Sequence, residues 1–132
     1  MMDRSPIKVF LVDDQAMLRA AFTSLLARDS RYQVVGDVGD AREAIATVGQ
    51  LRPDVILLDI TMPGLAGEAL LVELRARGLV APVVLMSGHL AEDVAVAVTW
   101  PGVKAFLQKP FGAEELARSL HEALDAAARE RG

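Results

Sequence analysis

Asp59 ends the apolar run Asp54-Val55-Ile56-Leu57-Leu58 and opens straight into the turn Ile60-Thr61-Met62-Pro63-Gly64. A carboxylate at the mouth of a buried strand, just before a Pro-Gly break, is placed for chemistry rather than packing. Asp13 and Asp14 follow Val9-Phe10-Leu11-Val12 in the same way, Ser87 follows Val83-Val84-Leu85-Met86, and Lys109 follows Val103-Lys104-Ala105-Phe106-Leu107-Gln108. Four strand-like runs thus end in reactive groups. Taken singly, each is ordinary: an Asp after a strand is most often a turn former or helix cap. Their joint placement is what points to a site.

The chemistry follows from the residue types. Three neighbouring carboxylates repel one another, and a hard divalent cation with oxygen ligands and residual waters, Mg²⁺ above all, resolves that repulsion. Lys109 adds a mobile point charge able to pair with Asp59 or an incoming phosphate. Ser87 supplies a hydroxyl able to bond a phosphoryl oxygen. Metal, ammonium and hydroxyl are the parts that stabilise a phosphoryl group in transfer, and Asp59 is the candidate nucleophile.

The elements that must hold these groups alternate along the chain. Ile7 to Val12 is a continuous apolar strand broken only by Lys8; Met17, Leu18, Ala21, Phe22, Leu25 and Leu26 then recur at helical spacing. Tyr32 to Val38 predicts a second strand. Asp40, with Glu43 three residues on, caps a helix striped by Ala44, Ile45 and Val48 and closed by Pro53. Val55 to Leu58 is the third strand, Leu70, Leu71 and Leu74 mark a helix stopping near Gly78, and Pro82 to Met86 and Val103 to Leu107 are the last strands. Leu116, Leu120 and Leu124 stripe the final helix.

Residues 90 to 99 show a strand period in Val94, Val96, Val98 and Trp100, but two parallel strands need a crossover there, so a weak helix is expected. Five strand-helix repeats imply an α/β fold: one doubly wound (βα)5 domain with a five-stranded parallel sheet covered on both faces. Ligands of such sheets bind beyond the carboxyl ends of the strands, where the polar groups fall.

The bulk composition restricts the function. The chain has 132 residues, 52% hydrophobic and 24% charged, with no cysteine and a net charge of −4. That fits one soluble domain without disulfides or thiolate metal sites. The negative charge argues against direct nucleic-acid contact. No run is long enough to span a membrane, and residues 1–6 lack the apolar core of a signal peptide, so a cytoplasmic location is expected. Residues 1–6 read as a lead, 7–126 as the domain, and 127–132 as helix end or the start of a linker.

These motifs resemble a known family. Leu11-Val12-Asp13-Asp14, the segment Pro53 to Asp59 with Met62-Pro63-Gly64, Met86-Ser87-Gly88 and Phe106-Leu107-Gln108-Lys109-Pro110-Phe111 are similar to the motifs of response-regulator receiver domains, the phosphorylation modules of two-component signalling and phosphorelays. The resemblance covers roughly residues 7 to 126. It implies a flavodoxin-like strand order 2-1-3-4-5. It makes Asp59 the phosphoacceptor, with Mg²⁺ held by Asp13, Asp14, Asp59 and the Thr61 backbone carbonyl. Thr61 and Gly88 would contact the phosphoryl group and Lys109 would pair with it.

Ser87 would turn toward that group and Phe106 rotate into the vacated space, biasing the surface of the fourth helix, fifth strand and last helix. With no hydroxyl on Phe106, that movement is packing alone. Thr61 and His89 occupy the positions that tune dephosphorylation; His89 either orients water or is a solvated loop residue. Trp100 either packs beneath the fifth strand or joins Val94 and Val98 in an exposed patch.

The implied partners are a sensor histidine kinase or phosphotransfer protein, with a homodimer through the same surface among the expected assemblies. Such a protein modifies itself and slowly self-hydrolyses rather than turning over substrate. Its first half resembles receivers preceding a DNA-binding module, its second half those of hybrid histidine kinases. Other classes fit less well. A haloacid-dehalogenase-like phosphatase resembles a pattern with a second Asp two residues after the nucleophile, where this chain has Thr61. A flavodoxin-like cofactor binder needs a phosphate-cradling loop where Asp13-Asp14 stand. A degenerate receiver would lack some of the reactive groups, all of which are present here.

Overall fold

The computed structural model describes residues 5–60 and 67–131. The Thr61 expectations lie outside the described residues. Ten elements alternate: β1 (Ile7–Val12), α1 (Ala16–Ala27), β2 (Tyr32–Val38), α2 (Ala41–Leu51), β3 (Val55–Asp59), α3 (Gly67–Ala76), β4 (Val83–Ser87), α4 (Leu90–Ala97), β5 (Val103–Gln108) and α5 (Ala113–Arg131). The strands form one parallel sheet of order β2-β1-β3-β4-β5, as expected.

Side chains of a strand alternate between faces, and here both faces are covered. Phe10, Val12, Ile56, Leu58, Val83 and Leu85 pack with α2, α3 and Ala97 of α4. Val9, Leu11, Val55, Leu57, Val84, Met86 and Leu107 pack with α1 and α5 on the other side. The alternation explains why the central strands are continuously apolar. Leu57 is fully buried, so Leu57→Ala should cost about 3 kcal/mol, read as a lowered urea midpoint at unchanged slope.

Strand and helix ends refine the expectations. The third and fourth strands each run one residue further and include Asp59 and Ser87, because the backbone ladder continues where side chains turn polar: Asp59 pairs with Met86 and Ser87 with Gln108. Asp40 caps α2 by accepting the Glu43 amide. That helix ends at Leu51, before Pro53, and is capped by Arg52, whose φ is 47° and whose amide donates to the Val48 carbonyl. The α4 helix stops at Ala97, short of residue 99. Beyond it the Trp100 amide turns back to the Ala97 carbonyl, and Pro101 has no amide to extend the ladder.

Trp100 takes the packing alternative. It is partly buried against the cluster containing Leu58, and a Cβ on Gly67 would lie 2.9 Å from its ring. Val96 and Val98 remain exposed. His121 is exposed on α5, which continues through residue 131. Among the described residues, no helix is long and apolar enough to cross a membrane.

Candidate functional site

The loop after β1 carries the acidic pair. The Asp13 amide extends the ladder by donating to the Val38 carbonyl, and its Oδ1 accepts the Gln15 amide at 2.9 Å. That two-residue side-chain turn fixes the carboxylate before α1 begins. Asp13 is fully buried whereas Asp14 is exposed, so the pair presents one inner and one solvent-facing carboxylate. Asp59 reaches the same place from the end of β3 and is also buried. Asp13, Asp14 and Asp59 each bring a carboxylate oxygen within 4.8 Å of the others.

Lys109 arrives from the far side of the sheet. Its amide donates to the Ser87 carbonyl at 2.7 Å, carrying the β5 end across β4. Its Nζ lies 3.0 Å from Asp13 Oδ2 and 3.6 Å from Asp59 Oδ2. The ammonium is therefore shared, with Asp13 rather than Asp59 taking the direct hydrogen bond. A buried charge pair needs such close geometry to offset its desolvation.

Ser87, buried at the end of β4, is turned to α4: its hydroxyl donates to Asp93, and its oxygen accepts the His89 amide. Gly88 is exposed and its carbonyl accepts from the Gln108 side chain at 3.0 Å. His89 is exposed at the α4 N-cap, with no side-chain capping bond. Phe106 is partly buried against the core cluster that contains Leu58 and Leu85.

Three residues in the site's support were not legible beforehand. Arg19, one turn into α1, donates from Nη1 to the Asp13 carbonyl at 2.6 Å and from Nε to Asp37 Oδ1 at 2.9 Å. It ties the acidic loop to β2. Asp93 holds Ser87, and Gln108 bridges the segment after β4 to the end of β5. Each looks like an ordinary surface polar residue in sequence, and the only signal for Arg19 is its helical spacing from Gln15.

Three carboxylates with one open side, supported by an ammonium, suit a hard cation keeping several waters. The oxygen-only donor set fits Mg²⁺ better than a softer metal.

Known proteins resemble this chain in sequence and in fold. A model of the family described as response regulator receiver domain matches residues 9–121. The chain is 40% identical over 122 residues to a protein-glutamate methylesterase/protein-glutamine glutaminase of Symbiobacterium thermophilum, covering 91% of this chain and 33% of that protein. It is 32% identical to the nitrate/nitrite response regulator protein NarL of Escherichia coli, covering 93% of this chain and 57% of that one. The chemotaxis protein CheY of Listeria monocytogenes is 30% identical and matched over 98% of its length, and over 89% of this chain. The solved signal receiver domain of a NarL regulator from Mycobacterium tuberculosis superposes with a TM-score of 0.82 at 27% identity, covering 92% of this chain and 98% of that one. The chain thus spans about a third to about 57% of two of these curated relatives and nearly all of the third.

Proposed function

The chain belongs to the response-regulator receiver domain family of two-component signalling, and from that premise we propose that it is a phosphorylation switch whose acceptor is Asp59. Receiver domains work with histidine kinases or phosphotransfer proteins and bind Mg²⁺ in an acidic pocket. The observation that carries the reading is the convergence of Asp13, Asp14, Asp59 and Lys109 at the carboxyl ends of β1, β3 and β5.

In the proposed reaction an Asp59 carboxylate oxygen attacks the phosphorus of a phosphohistidine on the partner. The new P–O bond forms as the P–N bond breaks, and the imidazole leaves. Asp13, Asp14 and Asp59 would hold Mg²⁺, joined by the Thr61 carbonyl; the ion supplies positive charge against the phosphoryl oxygens. Lys109 would supply a second positive charge by moving from Asp13 toward the transferred group. Ser87 and the Gly88 and Thr61 segments contact the same oxygens. Thr61 and His89 flank the path of hydrolytic water and tune how long the mark lasts.

The output surface comprises α4, β5 and α5, where Val96 and Val98 are exposed. A kinase-coupled output module or a second copy of the chain docks there, with Phe106 repacking beneath it. The domain makes no nucleic-acid or membrane contact of its own and acts in the cytoplasm. Phosphatase chemistry of the haloacid-dehalogenase kind is disfavoured by Thr61, two residues after the nucleophile.

Intact-protein mass spectrometry after incubation with Mg²⁺ and acetyl phosphate tests the reading. One added phosphoryl group is expected, and none when the metal is chelated before the donor is added. No adduct from acetyl phosphate or from any phosphorylated kinase would leave only an interaction domain. Arg19→Ala should leave the acceptor intact but loosen the acidic loop, weakening Mg²⁺ affinity on the order of tenfold by titration calorimetry. Unchanged affinity would mean that the loop holds itself.

A further inference from the structure

Ser87 has a single hydroxyl proton, and a hydroxyl can donate it to only one strong acceptor at a time. Here that proton goes to Asp93 Oδ2, on the first turns of α4. The Ser87 oxygen in turn accepts the His89 amide at 2.9 Å. Gln108 closes the other side: its Oε1 accepts the Leu90 amide at 3.3 Å, and its Nε2 donates to the Gly88 and Lys109 carbonyls at 3.0 and 2.8 Å. The segment between β4 and α4 is thereby held from above by Asp93 and from the side by the end of β5.

A carboxylate is a stronger acceptor than a neutral oxygen, and the N-terminal end of a helix favours its charge. Asp93 is therefore a real competitor for the Ser87 proton. We propose that Asp93 is the brake on this switch: it keeps the Ser87 hydroxyl on α4, and a phosphoryl group on Asp59 must displace it before the β4–α4 segment rearranges. The inference rests on the receiver reading of Asp59 and deepens it by naming what the phosphoryl group competes against. It also gives the signal a physical route. Once Ser87 leaves, Asp93 loses its tie to β4, the His89 amide loses its acceptor, and α4 is free to shift. That helix is only two turns long and buries one side chain, Ala97, so Ser87 and Gln108 are prominent among its ties to the sheet.

Two measurements test the brake. In the protein without phosphoryl donor, Asp93→Ala should speed amide hydrogen exchange at His89 on the order of tenfold, because Ser87 is released to rotate. With Mg²⁺ and beryllium fluoride as the phosphoryl mimic, Asp93→Ala should bind on the order of tenfold more tightly, since the competent state no longer has to be won from the braked one. Asp93→Asn, which keeps an acceptor, should fall between. Glu92→Gln removes the same charge one residue away and should bind like wild type.

In a Ser87→Ala background the gain from Asp93→Ala should vanish. An equal gain with and without Ser87 would overturn the proposal, reducing Asp93 to a repelling charge; no gain in either background would overturn it as well. A wild type that never binds beryllium fluoride would sink the receiver reading instead. The exchange measurement then judges the contact alone, with unchanged His89 protection counting against it.

Discussion

Asp59→Asn is expected to abolish phosphoryl uptake completely while leaving the protein folded and, without metal, slightly more stable. Asparagine has nearly the shape of aspartate, but its amide oxygen is no nucleophile at neutral pH. The stability gain follows from the geometry. Asp13, Asp14 and Asp59 crowd within 4.8 Å, so removing one charge relieves repulsion. Lys109 keeps its closer partner, since its hydrogen bond is to Asp13. A gain of about 1 kcal/mol in a metal-free urea titration is reasonable for such a change. Mg²⁺ should stabilise the variant less than wild type, having lost a ligand. Persistent uptake of one phosphoryl group would move the acceptor to Asp13 or Asp14 and overturn the assignment of Asp59.

Lys109→Met should move stability the other way at the same cluster. Methionine keeps an unbranched stem and removes the charge. Asp13 and Asp59, both buried, then lose the ammonium lying 3.0 and 3.6 Å from them. Breaking one side of a buried ion pair costs about 3 kcal/mol or more, because the remaining charges stay desolvated. The loss should appear in metal-free urea unfolding and shrink in Mg²⁺; a ligand at a hundred times its Kd returns about 2.7 kcal/mol.

Phosphoryl uptake from acetyl phosphate should slow by roughly 10²- to 10³-fold, the usual effect of removing one group that stabilises transition-state charge. Time-resolved mass spectrometry reads that rate directly. A variant as stable and as fast as wild type would show that the ammonium is dispensable in both roles. The opposite stability signs of the two substitutions distinguish this cluster from a plain salt bridge, where removing either partner destabilises.

Much of the architecture was legible from local pattern alone. Continuous apolar runs, separated by helical stripes, identify strands and helices because burial on two faces leaves no position for a polar residue. Pro53, Gly78 and Pro101 mark where elements stop. The candidate site was legible too, since Asp13, Asp14, Asp59, Ser87 and Lys109 each end an apolar run, and a parallel sheet brings all strand ends to one edge. The strand order needed more than periodicity: it came from the motif resemblance and matches the observed pairing.

The support of the site was decided only by the tertiary structure. Lys109 and Asp13, which share a hydrogen bond, are 96 residues apart, and the loop that carries Asp13 is clamped by Arg19, itself held by Asp37. Trp100 had two readings until the close approach of Gly67 gave its ring a pocket. Asp93 and Gln108 carried no signal at all, because a polar residue on a helix or at a strand end is ordinarily solvated. Periodicity reports which face of an element is buried. It says nothing of which neighbour a partly buried polar group will find, and here those contacts are set by how the elements are placed across the sheet.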